Sequence, residues 1–207
     1  ITKERLEIKG LGKAKYILKP GGTLGDLYTN SDLVYNDDGY IEVDKNGNVA
    51  VKDDYMDDIY LGSVFPKYNL AWRNDFNYKG INLGVLFTAR IGGICYSATQ
   101  ANMDLYGVSE ASAAARDAGG VMINGRDMID AQKWYQVIGS QSGLPQYYTY
   151  SATNVRLQEL SLGYTLPSKW FRDKMRMTVS FVGRNLWMIY CKAPFDPEAV
   201  ASTGMNY

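Results

Sequence analysis

Two stretches of the chain alternate apolar and polar side chains with a period of two. In Tyr68 to Tyr78, Tyr68, Leu70, Trp72, Phe76 and Tyr78 share one parity, and Asn69, Arg73, Asp75 and Asn77 the other. After Lys79-Gly80 the pattern resumes: Ile81, Leu83, Val85, Phe87, Ala89 and Ile91 oppose Asn82, Gly84, Thr88 and Arg90, with Leu86 the exception. That period predicts a β-hairpin between unlike environments, turning at Lys79-Gly80. The alternation holds for about eleven residues in each arm, whereas sandwich strands run to about five or six. Tilted membrane-spanning strands need the greater length. The polar parity carries Arg73, Asp75 and Arg90, which a dry core would not accept without partners but a wet lumen would.

The second stretch, VRLQELSLGYTLPSKWFRDKMRMTVSFVGRN from Val155 to Asn185, predicts another hairpin. Leu160, Leu162 and Tyr164 alternate with Glu159, Ser161 and Gly163; Met175, Met177, Val179 and Phe181 alternate with Arg176, Thr178 and Ser180. Pro167 gives a ladder no amide hydrogen, so the connection is expected over Thr165 to Lys174. From the shared parities, Leu70, Trp72, Leu83, Val85, Phe87 and Phe181 are expected to face lipid.

Between and before these hairpins the period is lost. Lys15 to Lys19 alternates weakly as a strand, and GGTLGDLY lacks the spacing of a phosphate cradle. Tyr40 to Val51 reads as a hairpin turning at Asn46-Gly47, a pair that accepts positive φ. Asp44, Asn46 and Asn48 match the first ligand spacings of a calcium loop, but Val49 and Tyr55 occupy positions that need Gly and Glu. Asp53, Asp54, Asp57 and Asp58 form an acidic run, read as a solvated face. Residues 92–154 carry helix signals: Thr99 to Tyr106 before Gly107, Glu110 to Asp117 after Ser109, and Asp130 to Ile138 before Gly139. Trp134, Tyr135, Tyr147, Tyr148 and Tyr150 concentrate ring faces there, either as a ligand surface, with Trp134, Tyr147 and Tyr148 the chosen contacts, or as a small core beneath the helices.

Composition narrows the chemistry. With 22 basic and 22 acidic residues in 207, nothing points to nucleic acid or an anionic surface. The absence of His removes the commonest general base and metal ligand, and no nucleophile and base stand together. No catalytic residue, metal site or cofactor is therefore expected. Seventeen Tyr and 4 Trp suit an interfacial girdle or a sugar-binding surface alike. Cys95 and Cys191 form no CxxC pair; a single disulfide is an open alternative to two thiols. The mean hydropathy is −0.27 and no apolar run reaches the length of a transmembrane helix, which says nothing against strands. The chain opens at Ile1 without the charged and apolar regions of a signal peptide.

VRLQELSLGYTLPSKW, followed by VGRNLW and APFDPE, resembles the C-terminal end of SusC-like (RagA-type) TonB-dependent outer-membrane transporters. The entry Val64-Phe65-Pro66-Lys67-Tyr68 also resembles the family's NPKF-like approach to a barrel hairpin. The resemblance implies an all-β fold with small helical loop insertions, an antiparallel transmembrane β-barrel portion from a barrel of roughly 22 strands. It implies a C-terminal portion, with the plug and the segment that engages TonB upstream and the last strand not included. Residues 1–66 would form an extracellular loop region with a hairpin near 40–51, 67–91 a transmembrane hairpin, and 92–154 a long extracellular loop. Residues 155–187 would form a second transmembrane hairpin, and 188–207 an extracellular loop. It further implies a bacterial outer-membrane importer of oligosaccharides or peptides that works with a SusD-like surface lipoprotein. The competing reading is a soluble β-sandwich module for glycan binding or adhesion.

Overall fold

The computed structural model describes residues 6–10, 12–55, 57–139, 142–172 and 174–198. The expected loop 1–66 is thus described from residue 6, and the expected tail 188–207 only to residue 198; the remaining residues of each lie outside the described ones. The described residues divide into two units, one drawing on residues 6–64 and 94–150, the other on 65–93 and 151–198.

Along the chain, β1 (Leu6–Lys9), β2 (Ala14–Leu18) and β3 (Asp26–Thr29) pair in succession. The short strands β4 (Asp32–Leu33) and β5 (Val51–Lys52) pair with each other, and β6 (Ile59–Ser63) closes the first sheet against β3. Then come β7 (Tyr68–Tyr78) and β8 (Ile81–Ile91), followed by β9 (Ile94–Tyr96), α1 (Ala98–Leu105) and α2 (Glu110–Asp117). The hairpin β10 (Val121–Ile123) and β11 (Asp127–Ile129), α3 (Ala131–Ile138), a 3-10 turn at Pro145–Tyr148 and β12 (Thr149–Ser151) lead into β13 (Asn154–Thr165) and β14 (Thr178–Cys191).

The helices begin where side chains cap them. Ser97 accepts from the Gln100 amide, Ser109 from that of Ser112, and Asp130 from that of Lys133, each meeting a donor that the first turn leaves over. Together with the 40–51 hairpin, these helices enclose a small core: Leu33, Val49, Ala101, Ile123, Ile129, Trp134, Ile138, Leu144 and Tyr148.

The other unit is one antiparallel sheet in the order β14-β13-β8-β7. The turn between β7 and β8 is made by Lys79 at φ 47° and Gly80 at φ 86°, the paired positive angles that match strand twist in a two-residue hairpin. The second hairpin departs from expectation. A 3-10 turn over Ser168–Phe171 lengthens its connection, and β14 starts only at Thr178, so Met175 and Met177 lie outside the strand. The Leu166 amide donates to the Met177 carbonyl at 2.9 Å, which closes the turn there. At its far end β14 continues to Cys191, beyond the expected end at 187.

Register decides which side chains share a face. Across β7 and β8, Leu70 faces Ala89 and Trp72 faces Phe87; across β8 and β13, Leu83 faces Leu162 and Val85 faces Leu160; Leu162 in turn faces Phe181 on β14. Strict alternation would then put Leu157 on the side opposite Leu160. Gln158 is an extra residue at that point, set against Asn185 at φ 51°, and the bulge returns Leu157 to the apolar face beside Phe87 and Trp187. The Gln158 amide closes the bulge by donating to Asn185 Oδ1 at 2.9 Å.

Candidate functional site

The sheet has two chemically distinct faces. Its apolar face presents Trp72 and Phe87 stacked at 5.7 Å, and Leu70, Trp72 and Phe181 are 55%, 63% and 77% exposed. All six side chains expected to meet lipid lie on this face by register. Eleven residues at about 3.4 Å each, tilted by about 45°, span roughly 26 Å, near the height of an outer-membrane apolar band.

The polar face is knitted by its own charges. Arg73, Leu86, Glu159 and Arg184 form one row across the four strands, with Asp75 one pair along. Arg73 Nε lies 3.0 Å from Asp75 Oδ2, and an Arg73 amino group 3.8 Å from Glu159 Oε1; Arg184 Nε lies 3.2 Å from Glu159 Oε2. Glu159 is thus held between two guanidinium groups. Nearer the turns, Asn82 donates to Thr165 at 3.1 Å, and the Thr165 and Thr178 hydroxyls share a 3.0 Å bond. Such a face is stable in water and costly to desolvate.

At the opposite end of the sheet, Arg156 is buried with 6% of its side chain exposed. Its guanidinium meets Asp196 at 2.7 Å and Glu198 at 3.3 Å, and Asn154 also donates to Glu198 at 3.3 Å. The Cys191 thiol donates to the carbonyls of Ala193 and Phe195, both at 3.3 Å. The Ala193-Pro194-Phe195-Asp196-Pro197-Glu198 segment is therefore folded down onto β13. Cys95 donates instead to the Tyr150 carbonyl at 3.6 Å, and both cysteines are thiols.

Trp134, Tyr147 and Tyr148 do come together, but as core. Trp134 is 8% exposed and meets Tyr147 edge to face at 6.0 Å; Tyr148 is 2% exposed and donates to Asp104 at 2.9 Å. The rings expected as ligand contacts fill the space between helices and hairpin, with Trp134 and Tyr148 buried and Tyr147 partly so. Burial, the largest cause, pushes the Tyr147 hydroxyl up to about 12, and burial followed by the Asp104 hydrogen bond raises Tyr148 further. A tyrosine raised above its ordinary value near 10 stabilises the fold fully below about pH 10 and loses that contribution as pH rises through the folded value. An absorbance titration should show these two rings ionising after most tyrosines, together with unfolding of their unit above about pH 10.

Of the acidic run, Asp53 pairs with Lys13 at 2.6 Å, and that hydrogen bond holds its carboxyl below the ordinary range. Asp44 accepts the amides of Asn46 and Asn48, both at 2.8 Å, so its carboxylate closes a turn. Among the described residues no group of three or more His, Cys, Asp or Glu is placed to hold a metal.

No protein-family model matches the chain. It is 24% identical over 163 residues to TonB-dependent receptor P3 of Formosa agariphila, an alignment covering 77% of this chain and 15% of that protein. Its backbone matches a chain of the RagAB peptide importer in the closed-closed state with a TM-score of 0.51 at 17% identity, over 94% of this chain and 26% of that one. For the open-open state the TM-score is 0.52 at 16% identity, over 90% and 23%. The chain is similar to a portion of a TonB-dependent receptor and shares the fold of a portion of the RagAB importer, spanning about a quarter or less of the length of each. The two-faced sheet accordingly has the fold of part of an antiparallel β-barrel, with small helical insertions in its connections. The proteins it resembles are a TonB-dependent receptor and a peptide importer.

Proposed function

We propose that this chain supplies part of the wall and the outer vestibule of an outer-membrane importer of oligopeptides or oligosaccharides. Lipid meets the face carrying Leu70, Trp72, Leu83, Val85, Phe87 and Phe181; the lumen is lined by Arg73, Asp75, Glu159 and Arg184. The observation that carries this reading is the register, which sorts four long strands into an apolar face and an ion-paired face. A soluble sandwich would bury the apolar face under a second sheet, and among the described residues this unit has one long-stranded sheet.

Connectivity supports an orientation. Tyr68 pairs with Ile91, Arg90 with Asn154, and Asn154 with Cys191, so residues 21–66, 92–154 and the tail all leave from one end of the sheet. The connections after Tyr78 and Thr165 are at the other end. Outer-membrane barrels put short turns in the periplasm, so the long segments face the cell exterior. There a SusD-like lipoprotein would close over the cargo, while TonB acts through a segment outside this chain. The cargo leaves chemically unchanged.

In intact cells the full-length receptor should fractionate with the outer membrane, need detergent for extraction, and accumulate labelled oligomer only when TonB is present. Recovery in the soluble fraction, or cleavage of the oligomer by purified receptor, would overturn the proposal. Tyr106 and Val108, 76% and 69% exposed, are the expected lid contacts; changing both to Ser should lower co-purification of the lipoprotein several-fold.

A further inference from the structure

We propose that a cleft in the first unit binds an extended peptide by adding it as a strand to the backbone edge at Val43. This deepens the import reading by choosing peptide over sugar, and it rests on that reading only in calling the peptide cargo.

The cleft, of about 850 Å³, lies between the chain from Tyr40 to Lys45 and β11. At one end the Ile41 amide donates to Asn124 Oδ1 at 2.8 Å and Asn124 Nδ2 donates to the Ile41 carbonyl at 3.0 Å. At the other end Lys133 donates to the Asn46 carbonyl. Asn124 stands at φ 54°, in the turn joining β10 to β11. Its side-chain amide bonds both backbone groups of Ile41, as the peptide unit of a neighbouring strand would.

The rest of this edge follows from alternation. Glu42 donates to Val34 at 2.9 Å and accepts from Ala50 at 3.1 Å, and Asp44 donates to Asn48 at 2.9 Å. Residues 42 and 44 therefore spend their backbone groups on the hairpin interior. In an extended chain alternate residues point their N–H and C=O to opposite sides. Those of Val43 point with those of Ile41, to the side where Asn124 stands and the cleft opens. A strand laid into the cleft would continue, at Val43, the ladder that Asn124 begins at Ile41.

The walls favour peptide chemistry. Sugar recognition relies on an open ring face, and the cleft's ring, Tyr40, has the Arg126 guanidinium 4.7 Å above its centroid. Along the edge, Ile41 and Val43 turn inward to pack against the core, while Glu42 and Asp44 are exposed. An added strand places its side chains with the same period, so it would set apolar residues beside Ile41 and Val43 and basic residues beside Glu42 and Asp44.

The test uses full-length receptor in detergent and a synthetic octapeptide alternating valine and lysine. Backbone amide exchange at Val43, fast in the free protein, should slow at least tenfold with the peptide and stay unchanged with maltoheptaose. N-methylating alternate residues of the peptide should weaken its binding at least tenfold, as should Val43→Pro, while Val43→Ile binds as the parent does. Because Val43→Pro also risks the hairpin, exchange at Val43 in the unmodified protein decides. Peptide bound without slowed exchange there, peptide not bound at all, or slowing by maltoheptaose alone, overturns the site. Slowed exchange without uptake of the peptide by cells would sink the import reading and leave the site standing.

Discussion

Arginine at Val85 should keep the barrel from assembling, while arginine at Thr88 should be tolerated. Val85 stands mid-strand between Asn74 and Leu160 on the apolar face; Thr88, three residues on, stands between Ala71 and Arg156 on the polar one. A cationic side chain facing lipid near the bilayer midplane costs about 2–4 kcal/mol, and one facing a water-filled lumen costs far less. Against a net stability of only about 5–15 kcal/mol, the first cost is large. The measure is the yield of heat-modifiable, membrane-inserted receptor, expected to fall at least tenfold for Val85→Arg and less than twofold for Thr88→Arg. Equal yields would remove the assignment of faces.

Trp134→Ala should loosen the first unit by about 3–5 kcal/mol, the usual range for emptying a buried aromatic site. Trp134 lies on α3, 8% exposed, with Tyr147 at its edge and Ile138 one turn along the same helix. Tyr148→Phe should cost about 1–3 kcal/mol, because it strips a donor from Asp104, which is 6% exposed. Gln100 remains to Asp104, donating at 2.9 Å, which keeps the loss within that range. Limited proteolysis of the full-length receptor should cut both variants within residues 94–150, the Trp134 variant faster, with the barrel still assembled. A Trp134→Ala protein as resistant as the parent would mean the ring serves a ligand after all.

The legible parts of the fold were those set by neighbours in sequence. Parity along Tyr68 to Ile91, the Lys79-Gly80 turn, and Ser109 ahead of Glu110 each need only a few adjacent residues, and all are in the structure. What escaped depends on distant partners. The bulge at Gln158 is defined only by the strands β8 and β14 on either side, and alternation within β13 alone does not reveal which residue is extra. Arg156 and Asp196 are 40 residues apart, and Asn124 and Ile41 are 83 apart. Neither pair has a local signal. The ring-rich segment around Trp134 and Tyr147 was ambiguous for a related reason, since a ring suits a core and a binding face equally until the packing on it is known. Asn followed by Gly at 124–125 was a visible turn signal that could have marked the second wall of the peptide cleft.

The central claim is that one face of the β7, β8, β13 and β14 sheet meets lipid and the other meets water. Nitroxide labels placed singly at Leu83 and Phe181, and at Asn82 and Ser161, in receptor reconstituted into lipid vesicles test it most directly. Molecular oxygen partitions into the bilayer and a nickel chelate stays in water, so each label's collision rates report its surroundings. The labels at Leu83 and Phe181 should collide with oxygen and be shielded from nickel, and those at Asn82 and Ser161 should show the reverse. Nickel access at all four positions would contradict a membrane-spanning wall.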